Sequence, residues 1–286
     1  MRSRGEIAAA RWMVTPTLVV LRVVAGYPLA FALYLSLRRR LLVFSEDRFI
    51  GLDNFIFLVR DDRFWSAVSN TTYFTVCAVA VDLVIGVGLA VLIHRATPGH
   101  KLLRLAVLVP WAIPTVVSAK MWGWLFHSQY GLIARALPLA DHDILGDPTL
   151  AMHAAIVVDV WKTVPFVAFL ALAGLKTISG DVYRAAALDG VSGWRLLWRI
   201  ELPILRSTLV VIAALRALDA FRVFDVIYTL TDGGPANTTE TVSIYAYKTL
   251  MRSGDFGYGS ALAIATLVFT AALGLIAARA LRREAR

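Results

Sequence analysis

The residues with the most chemistry to explain lie in runs that are otherwise apolar. Between Ser207 and Leu230, Arg216, Asp219, Arg222 and Asp225 follow one another at three-residue steps. An ionisable group at the centre of a bilayer costs about 2.5–3.5 kcal/mol on insertion scales, so each needs a partner or water. Two arrangements meet that need. Opposite charges at i,i+3 can pair along one helix. Alternatively, Asp219, Arg222 and Asp225 line a wet path and offer hydrogen bonds to a hydroxyl-bearing solute, with Phe221, Phe224 and Tyr228 interleaved as flat faces for the apolar side of a ring. The run from Leu150 to Leu175 repeats the pattern with Asp159, Trp161, Lys162 and Pro165, where Asp159 and Lys162 are again i,i+3. Asp82 and Lys120 sit in two further apolar runs without a local partner, so they should pair with other spans or face a cavity.

Catalysis finds no such support. His94, His100, His127, His142 and His153 fall at span ends or in loops without metal-ligand spacing. Cys77 is the single cysteine, which excludes a disulfide within the chain and a cysteine zinc site. Ser118 and Thr163 have no base nearby in sequence. The chain lacks the Gly-x-x-x-x-Gly-Lys-Ser/Thr phosphate loop, so it is not itself an ATPase. The expectation is a non-enzyme with no catalytic residue, no metal and no cofactor of its own.

The elements that must position these charges are membrane spans. Of 286 residues, 58% are hydrophobic and 17% charged, and the mean hydropathy is +0.68. Soluble domains carry about 25% charged residues, and each apolar block here is near the ~20 residues that cross a bilayer. Six spans are predicted, at about 15–37, 68–93, 102–126, 150–175, 207–230 and 256–278. Gly26-Tyr27-Pro28 is a predicted kink in the first, and Pro110 and Pro114 break the regularity of the third. Arg2, Arg4 and Arg11 precede the first run in the manner of a signal peptide, but no small-residue cleavage site follows, so an uncleaved span is expected. The net charge of +9 collects at span ends, which suits topology signals and lipid headgroups rather than nucleic acid. The N-terminus, the turn from His94 to Arg104, the connection 177–206 and the tail are basic, so they are assigned to the cytoplasm. The loops holding Asp141, Asp143 and Asp147, and Asp232 to Thr241, then face outward. The triplet Arg38 to Arg40 falls on the outer side and runs against this rule.

The connection 177–206 is the one long polar, helix-compatible segment between two apolar blocks. Tyr183 to Leu188 has no helix breaker, and its small residues Ala185 and Ala186 allow close approach. Gly190 should stop that helix, Ser192 should cap a second near Gly193, and Pro203 should end the unit. Two short helices meeting at a glycine corner make a compact knob.

That knob resembles the cytoplasmic coupling loop of ABC-importer permeases, a Glu-Ala-Ala triplet followed by a Gly and a closing Ile-x-Leu-Pro. Ala185, Ala186, Asp189, Gly190, Ile200, Leu202 and Pro203 match in order, whereas Arg184 stands where the family has Glu. Val160 to Phe166, Arg216 to Asp225 and Leu230 to Thr241 are similar to sugar-importer permeases of the maltose and glycerol-phosphate type, as are Ile50 to Phe55 and Arg63 to Trp65. Among these, the first permease of actinobacterial trehalose importers also carries Arg in the coupling loop. The resemblance implies an all-α, polytopic type I importer permease of six spans, a single permease domain over 1–286, in the cell (plasma or inner) membrane with both termini cytoplasmic. It implies a second, similar permease, two ATPase subunits that use ATP and Mg, and an external solute-binding lipoprotein delivering a sugar such as the disaccharide trehalose. Arg184, Ala185, Ala186, Asp189, Gly190, Leu202 and Pro203 would couple to the ATPase. Asp159, Trp161, Lys162, Asp219, Phe221, Arg222, Asp225 and Tyr228 would line the sugar path. A glycerol-phosphate importer is an alternative, because the arginines suit a phosphate. An ion-coupled secondary transporter is another, although it needs no docking knob and usually shows two related halves.

Overall fold

A computed structural model describes residues 4–42, 44–95, 100–136 and 143–284. Among the described residues the chain is almost wholly helical. The helices are α1 (Arg4–Leu21), α2 (Tyr27–Ser36), α3 (Asp53–Arg60), α4 (Asp62–Arg95), α5 (His100–Ala112), α6 (Thr115–Leu125), α7 (Leu132–Ala136), α8 (Pro148–Leu175), α9 (Gly180–Leu188), α10 (Gly193–Leu196), α11 (Leu202–Ala220), α12 (Asp225–Leu230), α13 (Val242–Tyr247) and α14 (Phe256–Glu284). A two-stranded antiparallel hairpin, β1 (Arg38–Leu41) and β2 (Glu46–Phe49), lies in what the sequence presents as a polar connection. Its alternation is too short and too charged to announce a strand.

Four stretches are long and apolar enough to cross a membrane: Trp12–Ser36, Asp62–Arg95, Pro148–Leu175 and Phe256–Arg282. The other two expected spans are not straight helices. The third bends by 99° between Ala112 and Thr115, because Pro114 adopts ψ 139° and cannot continue a helix. The fifth stops at Ala220 and restarts at Asp225. The first departs from expectation in detail: a wide π-type turn spans Arg22–Gly26, and Pro28 sits harmlessly in the first turn of α2.

The chain divides into two compact units, residues 1–64 with 245–267, and residues 65–244 with 268–286. In the first, Asn54 closes the end of α2 by donating to the carbonyls of Ser36 (2.7 Å) and Arg38 (3.0 Å). The Asp61 carboxylate accepts from the hydroxyls of Tyr245, at 2.7 Å, and Tyr258. In the second, α8 is the central element. Asp147 caps it by accepting from the amides of Thr149 (2.8 Å) and Leu150 (2.9 Å), with Pro148 in the first turn. Glycine permits close packing on both of its flanks: a Cβ on Gly86 of α4 would come within 2.5 Å of Val167, and one on Gly174 within 3.1 Å of Leu205 and Thr208. The segment from Thr239 to Thr241 is buried, tied by Asn70 Nδ2 to the carbonyls of Asn237 (3.2 Å) and Glu240 (3.1 Å) and by the Val242 amide to Thr71 Oγ1 (3.0 Å).

Candidate functional site: a charged cavity and a polar knob

Arg216, on α11, is 2% exposed and answers three carboxylates. Its Nε donates to Asp82 on α4 at 2.7 Å, its Nη2 to Asp159 on α8 at 2.8 Å, and its Nη1 to Asp219 on its own helix at 2.6 Å. A guanidinium offers five donors in a planar fork, which is why one arginine can serve three helices' worth of acceptors. Thr163 adds a hydroxyl donated to Asp82 at 3.0 Å. Asp82 is fully buried, while the Asp219 side chain keeps 68% of its exposure. The network therefore runs from a dry end at Asp82 to a wet end at Asp219.

The wet end opens into a cavity of about 180 Å³ lined by Asp159, Lys162, Asp219, Arg222 and Asp225 together with Thr115, Thr163, Val223, Phe224 and Val226. A second cavity of about 430 Å³ shares Thr163, Asp219 and Arg222. Five of the eight residues expected along the solute path thus meet at one place. The other three do not line it. Trp161 points to the apolar side of α8, edge-on to Trp122 at 5.6 Å. Phe221 is buried against Phe269. Tyr228 stacks on Phe224 at 5.2 Å, and only Phe224 reaches the cavity.

Pairing along each helix, the other expectation, holds only for Arg216 and Asp219. The helix break at Phe221 to Phe224 removes Asp225 from the register of α11, and Arg222 Nε instead donates to the Leu218 carbonyl at 3.1 Å. Lys162 makes no ion pair with Asp159 among the described residues and donates to the carbonyl of Ile113 at 2.8 Å. That carbonyl is freed by the bend between α5 and α6, so a lysine caps the broken span. Lys120 is exposed on α6 and makes no ion pair among the described residues. Phe224, one of the three expected ring faces, lines the cavity, and Thr115 and Thr163 line it as well. Nothing in local sequence marks the two threonines: Thr115 enters through the bend, and Thr163 lies one turn beyond Asp159 on α8.

The knob is a second, separate arrangement. Gly190 has φ +70°, and the amides of Val191 and Gly190 donate to the carbonyls of Ala186 (2.8 Å) and Ala187 (3.1 Å). This paired closure of a helix end needs a left-handed residue, and glycine takes that conformation at no steric cost. Ser192 precedes α10 without a capping bond from its side chain. Pro203 does not end the unit: it lies in the first turn of α11, and a π-type turn at Leu197–Glu201 carries the helix through from α10. Of the two small residues, Ala185 is open and Ala186 is buried within the chain. Arg184 and Asp189 are exposed, and Arg184 pairs with Asp181 one turn earlier.

Two features of the knob escape the sequence pattern. Leu188 is 90% exposed, and Trp194 and Trp198 are exposed beside it in sequence and packed edge-on at 5.5 Å, an apolar surface on a polar segment. Large exposed apolar side chains in a hydrophilic loop are the available signal. The other is Glu201, fully buried, which takes Arg95 of α4 at 2.6 Å and Tyr183 of α9 at 3.5 Å. Burial, and then the nearby Glu201 carboxylate, push the Tyr183 hydroxyl above its ordinary pKa. A buried carboxylate with two partners fastens the base of the knob to the end of α4.

A family model described as binding-protein-dependent transport system inner membrane component matches residues 82–286. The chain is 36% identical to the trehalose/maltose transport system permease protein MalF of Thermococcus litoralis, over 92% of this chain and 90% of that protein. It is 38% identical to the trehalose transport system permease protein SugA of Mycobacterium tuberculosis, over 91% of this chain and 84% of that one. Among solved structures, a chain of the bacterial alginate ABC transporter in complex with an alginate pentasaccharide-bound periplasmic protein superposes with a TM-score of 0.83 at 22% identity, over 99% of this chain and 98% of that chain. The fold is that of an ABC importer permease. Matched over most of its length, this chain belongs to the family of binding-protein-dependent transport system inner membrane components.

Proposed function

We propose that the chain is one of two permeases that together form the path of an ATP-driven sugar importer, and that the sugar is a neutral disaccharide of the trehalose type. The observation that carries this reading is the charged cavity. Carboxylates and an arginine beside the Phe224 ring supply hydrogen-bond acceptors, donors and a flat apolar face, the combination that a sugar's hydroxyls and ring faces require. At about 180 Å³ it is smaller than the ~300–1,000 Å³ of a complete small-molecule site. A half-site of this kind fits one wall of a path that a second permease completes. The relatives named for trehalose and maltose transport favour the disaccharide over a glycerol-phosphate.

In this reading both termini and the knob are cytoplasmic, and an external solute-binding lipoprotein delivers the sugar. Two ATPase subunits, which hold the ATP and Mg, dock on Arg184, Ala185, Asp189, Gly190, Leu202 and Pro203 and on the exposed Leu188, Trp194 and Trp198. ATP-driven closure of the ATPases pushes the knob. Because α10 runs through the π-type turn into α11, the push reaches Arg216 and Asp219 along one helical rod, and the cavity turns outward to receive sugar. Hydrolysis returns it inward.

The test is co-purification with the products of neighbouring genes, then ATPase stimulation in proteoliposomes by a panel of binding protein with trehalose, maltose or glycerol-phosphate. Stimulation by trehalose or maltose is expected. Stimulation by glycerol-phosphate alone would reverse the substrate assignment. Uptake driven by an ion gradient without an ATPase partner would overturn the importer reading.

A further inference from the structure

The hairpin formed by β1 and β2 is pinned between the ends of two spans. Arg38 begins two residues after Ser36 closes α2. On the other side, the Leu42 amide donates to the Gly254 carbonyl at 3.0 Å, Leu41 bridges to Asp255, and α14 starts at the next residue, Phe256. Gly257, in the first turn of α14, leaves no room for a Cβ against the Arg38 carbonyl. Both spans therefore deliver this hairpin to the height at which the hydrocarbon ends and headgroups begin.

Its register places Arg39 directly opposite Arg48. Like charges in that position destabilise a ladder. Carboxylates on the hairpin compensate only in part. Arg38 pairs with Asp47 at 2.6 Å and Arg39 approaches Glu46 at 3.3 Å, while Arg48 makes no ion pair among the described residues. At the turn Phe44 is 76% exposed, and Phe49, paired with Arg38 on the other face, is 65% exposed. Cations next to bare aromatic rings at span ends are the composition of a segment seated in the headgroup layer.

We infer that Arg39 and Arg48, on one face of the hairpin, hold the phosphate of an anionic phospholipid. This goes beyond the transport reading and does not depend on which solute is carried. It also gives a reason for arginines on the side where the charge rule disfavours them: they answer headgroups there, and the cytoplasmic segments outnumber them as topology signals.

The experiment uses the assembled transporter in nanodiscs of phosphatidylcholine with a minor fraction of phosphatidylglycerol, and reads the lipid retained after extraction by native mass spectrometry. Wild type is expected to retain phosphatidylglycerol in preference to phosphatidylcholine. R39Q/R48Q should lower that preference by about fivefold per arginine removed, and R39K/R48K, which keeps the charge, should recover part of it. Added inorganic phosphate should leave the lipid in place. No preference in wild type, an unchanged preference in R39Q/R48Q, or displacement by free phosphate would each overturn the assignment. So would weakened binding of the solute-binding protein with lipid retention intact, since the hairpin would then be a protein contact. Because the readout is bound lipid, its failure leaves the sugar-stimulated ATPase result untouched.

Discussion

Arg216 carries the largest electrostatic burden in the chain, and the consequences of removing it differ from those of removing its partners. Arg216→Ala would strand the buried Asp82 and Asp159 without a cation, a loss of about 3–5 kcal/mol for a broken buried pair. The expected outcome is little folded protein, read as the monodisperse peak in size-exclusion chromatography. Asp219→Ala should behave otherwise. Asp219 is 68% exposed and faces the cavity, so the variant should assemble normally while sugar uptake falls. Loss of folded Asp219→Ala protein would instead make the residue a structural counter-ion. Sequence spacing exposes the i,i+3 pair of Arg216 and Asp219. It cannot expose Asp82 or Asp159, which lie 134 and 57 residues from Arg216, because no periodicity relates separate helices.

At the level of elements, the knob and the Asp61 cluster each rest on a short-range geometry with a defined failure. Gly190 has open space where a Cβ would go, so its constraint is conformational. A left-handed backbone costs an L-residue about 1–2 kcal/mol, and a β-branched one more. Gly190→Val should insert and assemble but transport poorly at undiminished basal ATPase activity. Wild-type uptake by that variant would sink the coupling role. Asp61 offers a pH test. Partial burial pushes its carboxyl up, but hydrogen bonds from Tyr258 and Tyr245 and from the amides of Arg63 and Phe64 outweigh that and hold it below the usual carboxylate range. A depressed folded-state pKa adds stability that is complete above the unfolded value of about 3.9 and disappears as pH falls through the folded value. The difference in unfolding temperature between wild type and Asp61→Asn should accordingly be constant near neutrality and shrink below about pH 4. Neither tyrosine partner is legible locally, since the residues lie 184 and 197 positions from Asp61.

For the whole molecule, the arrangement of spans predicts which face each loop meets. On a Cys77→Ala background, Arg195→Cys in the knob should react with a membrane-impermeant maleimide only from the cytoplasmic side, and Gln129→Cys only from the outside. The reverse pattern would place the knob beyond the reach of ATP and end the importer reading. The membrane class, the approximate limits of the four straight spans and the glycine corner are readable from the chain. Each follows from local quantities: the length of an apolar block against the thickness of a bilayer, and the backbone freedom of one residue. Where the third and fifth segments bend or break, which of eight path candidates share a cavity, and that Lys162 caps a broken helix while Arg216 gathers three carboxylates, were decided only by tertiary structure. Those outcomes depend on donors and acceptors brought together from distant parts of the chain, where a freed carbonyl or a buried charge takes the nearest partner in space, whatever its place in sequence.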